Sequence, residues 1–194
     1  MAEARLATHQ KGARRSGRAV AFVDETGHTF RARLGRTWAP IGRPPVLHRL
    51  SQRREVSSSA ALQAPLDGPP RLYARHFRGS IHGERVIAAL RYFRRQIGRP
   101  LLVIWDRLQA HRARPVQAFL AGHPDDYEVE WLPPYAPELN PEELCNGWVK
   151  RDLQNAVPLS VAELYRVSCR SFRRLGRRAD LLDGFFRHAA ISVT

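Results

Sequence analysis

The sequence is short of acid: 18 Asp and Glu stand against 32 Lys and Arg, for a net charge of +14 and a pI near 11.2. A field of that sign attracts polyanions over a Debye length, so nucleic acid is the first partner it implies. Arginine far outnumbers lysine, a bias that a GC-rich genome also produces, so charge alone does not establish binding. The chain has no run approaching the roughly 18 consecutive apolar residues of a membrane span. Its opening, MAEARLATHQKGARR, lacks the apolar core of a signal peptide. The expectation is a soluble cytoplasmic protein with no membrane partner. Cysteine is scarce too. Cys145 and Cys169 alone exclude a disulfide framework and a cysteine-based zinc site, and their helix-like surroundings predict two reduced core thiols.

What remains is ample for folding: 43% of the 194 residues are hydrophobic and 26% charged, the balance of one globular domain. Residues 1–18 are polar and basic, and read as an arm or linker remnant before a domain over 19–194. AVAFVDE (19–25) and TGHTFRARLG (26–35), divided by Thr26-Gly27, predict a hairpin. The proline-rich segment Trp38 to Leu47 predicts a loop. Further strands are expected around Val46 to Leu50 with Glu55 to Leu62, and around Leu72 to Phe77.

The period then changes. Val86, Leu90, Phe93 and Ile97 recur with helical spacing and predict a helix over 81–98, closed by Gly98 and Pro100. Leu101 to Trp105 is a continuous apolar run, the mark of a strand buried on both faces. A helix over 112–121, a strand over 127–132, a proline-rich loop over 133–141 and helices over 141–154, 160–176 and 179–189 complete the expectation. An antiparallel meander followed by alternating helices and strands predicts an α/β fold with a mixed sheet.

Three acidic positions stand out by placement. Asp24 ends the first predicted strand, Asp106 ends the buried one, and Glu142 or Glu143 opens the helix after the proline loop. Each has a purely structural reading: turn residue for Asp24, helix cap for Asp106, capping-box glutamate after Asn140 and Pro141 for Glu143. Together they suggest carboxylates gathered for a hard cation such as Mg²⁺ or Mn²⁺, which leaves positions open for phosphate oxygens. In the helix over 160–176, Arg166, Arg170, Arg173 and Arg177 share one face. Val161, Leu164, Ser168, Phe172 and Leu175 share the other, so the arginine stripe is either a solvated face or a phosphate-contacting one.

FVDETG, RTWAPIGRPPVLH, VIWDRLQAH and WLPPYAPELNPEE, in that order, resemble the catalytic half of DDE-type transposases of the mariner-like bacterial insertion-sequence group, the DDE superfamily endonucleases. The resemblance runs from about residue 18 to 153, and the 36 residues between Asp106 and Glu143 are similar to that group's spacing. It implies a ribonuclease-H-like fold with helices on both faces of the sheet, and use of Mg²⁺ or Mn²⁺, as two ions. It also implies phosphodiester hydrolysis at transposon ends followed by strand transfer to target DNA. Asp24, Asp106 and Glu143 become the catalytic, metal-binding carboxylates. Glu142 falls where the family has an apolar residue, which favours Glu143. His111 matches a family histidine that contacts phosphate or orders the strand end.

The resemblance has departures. Arg107 stands where many relatives have Asn or Gly, a cation placed either to bind phosphate or to compete with the metals. Asn146 replaces the family tryptophan three residues after the third carboxylate, with Trp148 two positions later. Relatives carry helix-turn-helix domains ahead of the catalytic one. Their place here is expected to fall to an upstream-encoded chain, with action as a homodimer on double-stranded DNA in the bacterial nucleoid. The competing expectation is a truncated or domesticated remnant that binds nucleic acid without cutting it. A nuclease acting on RNA–DNA hybrids is a third.

Overall fold

The apolar run LLVIW is a strand buried along its whole length, and the sheet forms around it. The computed structural model describes residues 12, 16–30, 35–46, 48, 55–65, 68–133 and 137–189. Its elements are β1 (Ala19–Thr29), β2 (Glu55–Gln63), β3 (Arg71–Arg78), α1 (Gly83–Ile97), β4 (Leu101–Trp105), α2 (Arg114–Ala121) and β5 (Tyr127–Trp131). A 3-10 turn at Pro137–Leu139, α3 (Pro141–Asp152), α4 (Val161–Gly176) and α5 (Ala179–His188) follow. The strand order is β3-β2-β1-β4-β5. The first three strands make an antiparallel meander, and β4 and β5 run parallel to β1.

Alternation along β1 divides the core into two layers. Ala19, Ala21 and Val23 join Val86, Leu90 and Phe93 of α1 and Val116 and Phe119 of α2 on one face. Val20 and Phe22 join Cys145 and Val149 of α3, Phe172 and Leu175 of α4, and Leu182 and Phe186 of α5 on the other. Helices therefore cover both faces of a mixed sheet, as expected. Gly98 takes the left-handed conformation (φ 77°) and returns its N–H to the Arg94 carbonyl, which ends α1 where the sequence said it would. Both cysteines are buried free thiols. Among the described residues no helix is long and apolar enough to cross a membrane.

The expected hairpin at Thr26-Gly27 is absent. β1 continues through both residues, paired to β2 from Ala21↔Gln63 to Thr29↔Glu55. Ser57, Ser58 and Ser59 oppose Gly27, Thr26 and Glu25. Ladder hydrogen bonding along a small-residue partner strand overrides the local turn signal. Residues 31–34, in the second half of that hairpin, lie outside the described residues, as does nearly all of the 1–18 arm. Of the strand expected around Val46 to Leu50, Val46 and His48 are irregular and the others are not described. The loop reading of the preceding segment holds, with Trp38, Ile41 and Val46 standing exposed.

Candidate active site

The pairing of β1 with β4 ends at Phe22↔Ile104. Two residues further on each strand stand Asp24 and Asp106, in equivalent register beside the point where β1 has β2 on one side and β4 on the other. That crevice beyond the carboxyl ends of parallel strands is where open α/β sheets place their sites. α3 crosses the same end from the other layer, its start set by Asn140, whose side chain accepts the Glu142 N–H at 3.1 Å, and by Pro141 in the first turn. Glu142 and Glu143 follow, at the helix end whose dipole favours carboxylates.

Asp24 is held by a donor on each oxygen. The Glu25 amide donates to Oδ1 at 2.8 Å, and the Asn146 side chain donates to Oδ2 at 2.9 Å. Burial, and then the charge of Glu25, push the Asp24 carboxyl up to about 7 despite those donors, and Asp106 adds to the rise. Glu142 is completely buried beside it and accepts the other Asn146 side-chain hydrogen at 2.6 Å. Burial, reinforced by the charges of Asp24, Glu25 and Glu143, drives its carboxyl well above the normal range.

Asp106 has a different environment. The His111 Nδ1 donates to its Oδ1 at 2.8 Å and the Leu108 amide donates to the same oxygen at 3.0 Å. Burial opposes ionisation, but these donors and the imidazolium charge outweigh it and hold the carboxyl below its ordinary value. His111 is itself enclosed, stacked on Trp105 at 3.8 Å, with Nε2 2.5 Å from Glu25 Oε2. Burial disfavours its charge, yet the two carboxylates raise its pKa to about 9, so both ring nitrogens carry protons at neutral pH. Ser59, opposite Glu25 in the ladder, donates to Glu25 Oε1 at 2.9 Å. The His111 side chain has no exposed surface, and its two ring nitrogens meet Asp106 and Glu25 at the strand end.

Glu143 is exposed, and its carboxyl is raised by partial burial and by the charge of Asp106. Asp106 thus reaches both Asp24 and Glu143 electrostatically. Glu142 faces Asp24 from inside the core, whereas Glu143 faces solvent on the Asp106 side. A set of three hard oxygen donors whose charges oppose one another's ionisation suits Mg²⁺ or Mn²⁺. Among the described residues no group of three His, Cys, Asp or Glu side chains is placed to hold a metal ion as it stands. Glu143 is exposed, whereas Asp24 and Asp106 are held by the donors just described.

Arg166, Arg170, Arg173 and Arg177 are all exposed along α4, while Leu164, Ser168, Cys169, Phe172 and Leu175 are buried behind them. Arg173 and Arg177 meet Arg75 and Tyr92 in a cleft of about 800 Å³ beside the β3 edge. Arg107 is exposed next to Asp106. The residues that sequence reasoning missed are Glu25, Ser59 and Asn146. Glu25 alternates to the sheet face opposite Asp24, a consequence visible only once β1 is known to continue. Asn146 had a signal, since it stands in place of a family tryptophan.

The DDE superfamily endonuclease family model matches residues 19–164. The chain's fold is similar to that of the Mos1 transposase paired-end complex with left transposon end (TM-score 0.55, 16% identity, 94% of this chain and 59% of that one). It is similar also to the Mos1 mariner paired end complex with Mn (0.55, 15%, 95% and 60%). A third likeness is to the simian T-cell lymphotropic virus intasome in complex with PP2A regulatory subunit B56 gamma (0.50, 13%, 78% and 47%). The chain spans about three fifths of the Mos1 proteins' length. No curated protein matches it in sequence. With three quarters of its residues under the family model and the fold agreeing, the chain belongs to the DDE superfamily endonucleases.

Proposed function

We propose that the chain is the catalytic domain of a DNA transposase, with Asp24, Asp106 and Glu143 as the residues that hold its divalent metal. The observation that carries this is the placement of Asp24 and Asp106 in matching register past the end of the β1–β4 pairing, with the first turn of α3 presenting Glu143 on the Asp106 side. A bound Mg²⁺ or Mn²⁺, as two ions in the full reading, supplies Lewis acidity and water activation for phosphodiester chemistry. The chain's own residues do the rest. Asn146 and the Glu25 amide orient Asp24, and His111 fixes Asp106 against Glu25. The reaction is in-line attack of water at a transposon end, followed by attack of the freed 3′-hydroxyl on target DNA.

The arginines of α4 supply the surface for the DNA backbone, and Arg107 a cation at the site's mouth. The similar Mos1 transposase is seen in a paired-end complex with a transposon end, which supports duplex DNA as substrate. Trp38, Ile41 and Val46, solvent-exposed between β1 and β2, support a homodimer in which this loop meets a partner protomer. A separately encoded helix-turn-helix chain would supply recognition of the ends, and the bacterial nucleoid is the setting in which such a protein acts.

The test is nicking of supercoiled plasmid by the purified protein with Mn²⁺, with EDTA and with Asp106→Ala, alongside a gel-shift at matched salt. Metal-dependent nicking that disappears in the variant supports the reading. Retarded DNA without nicking in any lane points to a binding protein that does not cut.

A further inference from the structure

The two departures of α3 from the family pattern, Glu142 and Asn146, are one feature. They lie four residues apart, hence on the same side of the helix, and both face the sheet. The Asn146 side-chain nitrogen spends one hydrogen on Asp24 Oδ2 at 2.9 Å and the other on Glu142 Oε2 at 2.6 Å. Oε1 of Glu142 and Oδ1 of Asn146, both buried, have no hydrogen-bond partner. The polar contacts of the pair therefore run to each other and to Asp24. We propose that Glu142 and Asn146 are positioning residues for metal binding: Glu142 anchors the Asn146 amide, which clamps Asp24 Oδ2 while the Glu25 amide holds Oδ1.

The chemistry singles out an amide. A side-chain amide presents two hydrogens from one uncharged nitrogen to two carboxyl groups, which neither tryptophan nor an aliphatic side chain can do. With one lone pair on each Asp24 oxygen taken by a protein donor, the carboxylate plane is fixed before a cation arrives. The burial also has a cost in stability. A buried carboxyl and amide with unmet acceptors are less favourable than two well-packed apolar side chains, the pattern of a site that keeps polar groups for function. A purely structural pair would show the reverse balance.

This inference rests on the metal-binding reading of Asp24, and its test separates the two. Mn²⁺ binding is read directly, by electron paramagnetic resonance of the free ion, on the parent protein, Asn146→Ser, the double variant Glu142→Leu with Asn146→Leu, Glu142→Gln and Asp24→Asn, with the melting temperature of each. Asn146→Ser and the double variant are expected to weaken Mn²⁺ binding about tenfold, the double variant melting at or above the parent's temperature. Glu142→Gln keeps an acceptor for Asn146 and is expected to stay within threefold of the parent. Mn²⁺ affinity unchanged in Asn146→Ser would overturn the proposal, whether or not the double variant folds. So would a Glu142→Gln loss as large as that of Asp24→Asn, because Glu142 would then be a ligand. A parent protein that binds no Mn²⁺ sinks the functional reading, and this inference with it.

Discussion

His111 donates to Asp106 through a 2.8 Å contact from Nδ1 to Oδ1, while its other nitrogen lies 2.5 Å from Glu25. A single imidazolium thereby joins the middle of β1 to the end of β4, bracing the loop that carries the second carboxylate. His111→Ala leaves Glu25, only a tenth exposed, without its cation. Breaking such a buried pair costs about 3 kcal/mol, with the half-exposed Asp106 side adding little. Urea denaturation at pH 7 is expected to show that loss.

Two further histidines have the opposite sign. His28 Nε2 and His76 Nδ1 sit 3.0 and 2.7 Å from the Ser58 hydroxyl, packed against Phe172 of α4. Burial, with Lys150 and His76 facing His28 and Arg173 facing His76, lowers both pKa values from 6.5 to about 4. The unfolded chain therefore takes up protons between pH 6.5 and 4 that the native protein does not. Stability is fully present above pH 6.5 and falls toward pH 4, by at most about 1.4 kcal/mol per pH unit for each histidine. His111, raised to about 9, contributes stability that is lost as pH rises through 9. Asp24, raised to about 7, and Glu142 hold protons in the native state over the same acid window and oppose the histidines, so the histidine contribution is read as a difference. The denaturant midpoint of His28→Asn with His76→Asn is expected to fall less than the parent's from pH 6.5 to 4, while both proteins lose stability as pH rises through 9.

Much of this fold is legible in the sequence, because burial leaves a pattern. LLVIW announces a strand with neighbours on both sides, and the helical spacing of Val86, Leu90, Phe93 and Ile97 announces α1. The Thr26-Gly27 signal misleads because its outcome depends on what lies across the ladder, and the serines of β2 are thirty residues away. Asp106 is legible as a strand end, whereas Asp24, read as one, lies in mid-strand because β1 runs on to Thr29. That Glu142 turns inward and Glu143 outward follows from the rotation of α3 against β1, which no local pattern encodes. His111 reads equally well as a phosphate contact or a strand brace until its burial is known.

The arginine stripe is tested by its salt dependence. Replacing Arg166, Arg170, Arg173 and Arg177 with alanine is expected to leave the melting temperature nearly unchanged, since all four are exposed. If each contacts one phosphate, the slope of log K against log salt for duplex binding falls by about 3 to 4. Fluorescence anisotropy over a KCl series measures it. An unaltered slope means the stripe is only a solvated face.

Trp38 and Ile41 carry no intramolecular burial, so Trp38→Ser with Ile41→Ser is expected to change stability by less than about 0.5 kcal/mol. Sedimentation velocity with DNA present is expected to show a dimer for the parent, as proposed above, and its loss in the variant. A dimer that survives places the protomer contact elsewhere.

The most direct measurement is the single-turnover rate of plasmid nicking in saturating Mn²⁺ for the parent and for Asp24→Asn, Asp106→Asn and Glu143→Gln, each checked for folding by circular dichroism. Loss of a metal-holding carboxylate removes several kcal/mol of transition-state stabilisation, so each variant is expected to fall by about a thousandfold or more while remaining folded. A folded Asp24→Asn or Asp106→Asn protein that nicks at the parental rate would contradict the assignment of these carboxylates as the active site.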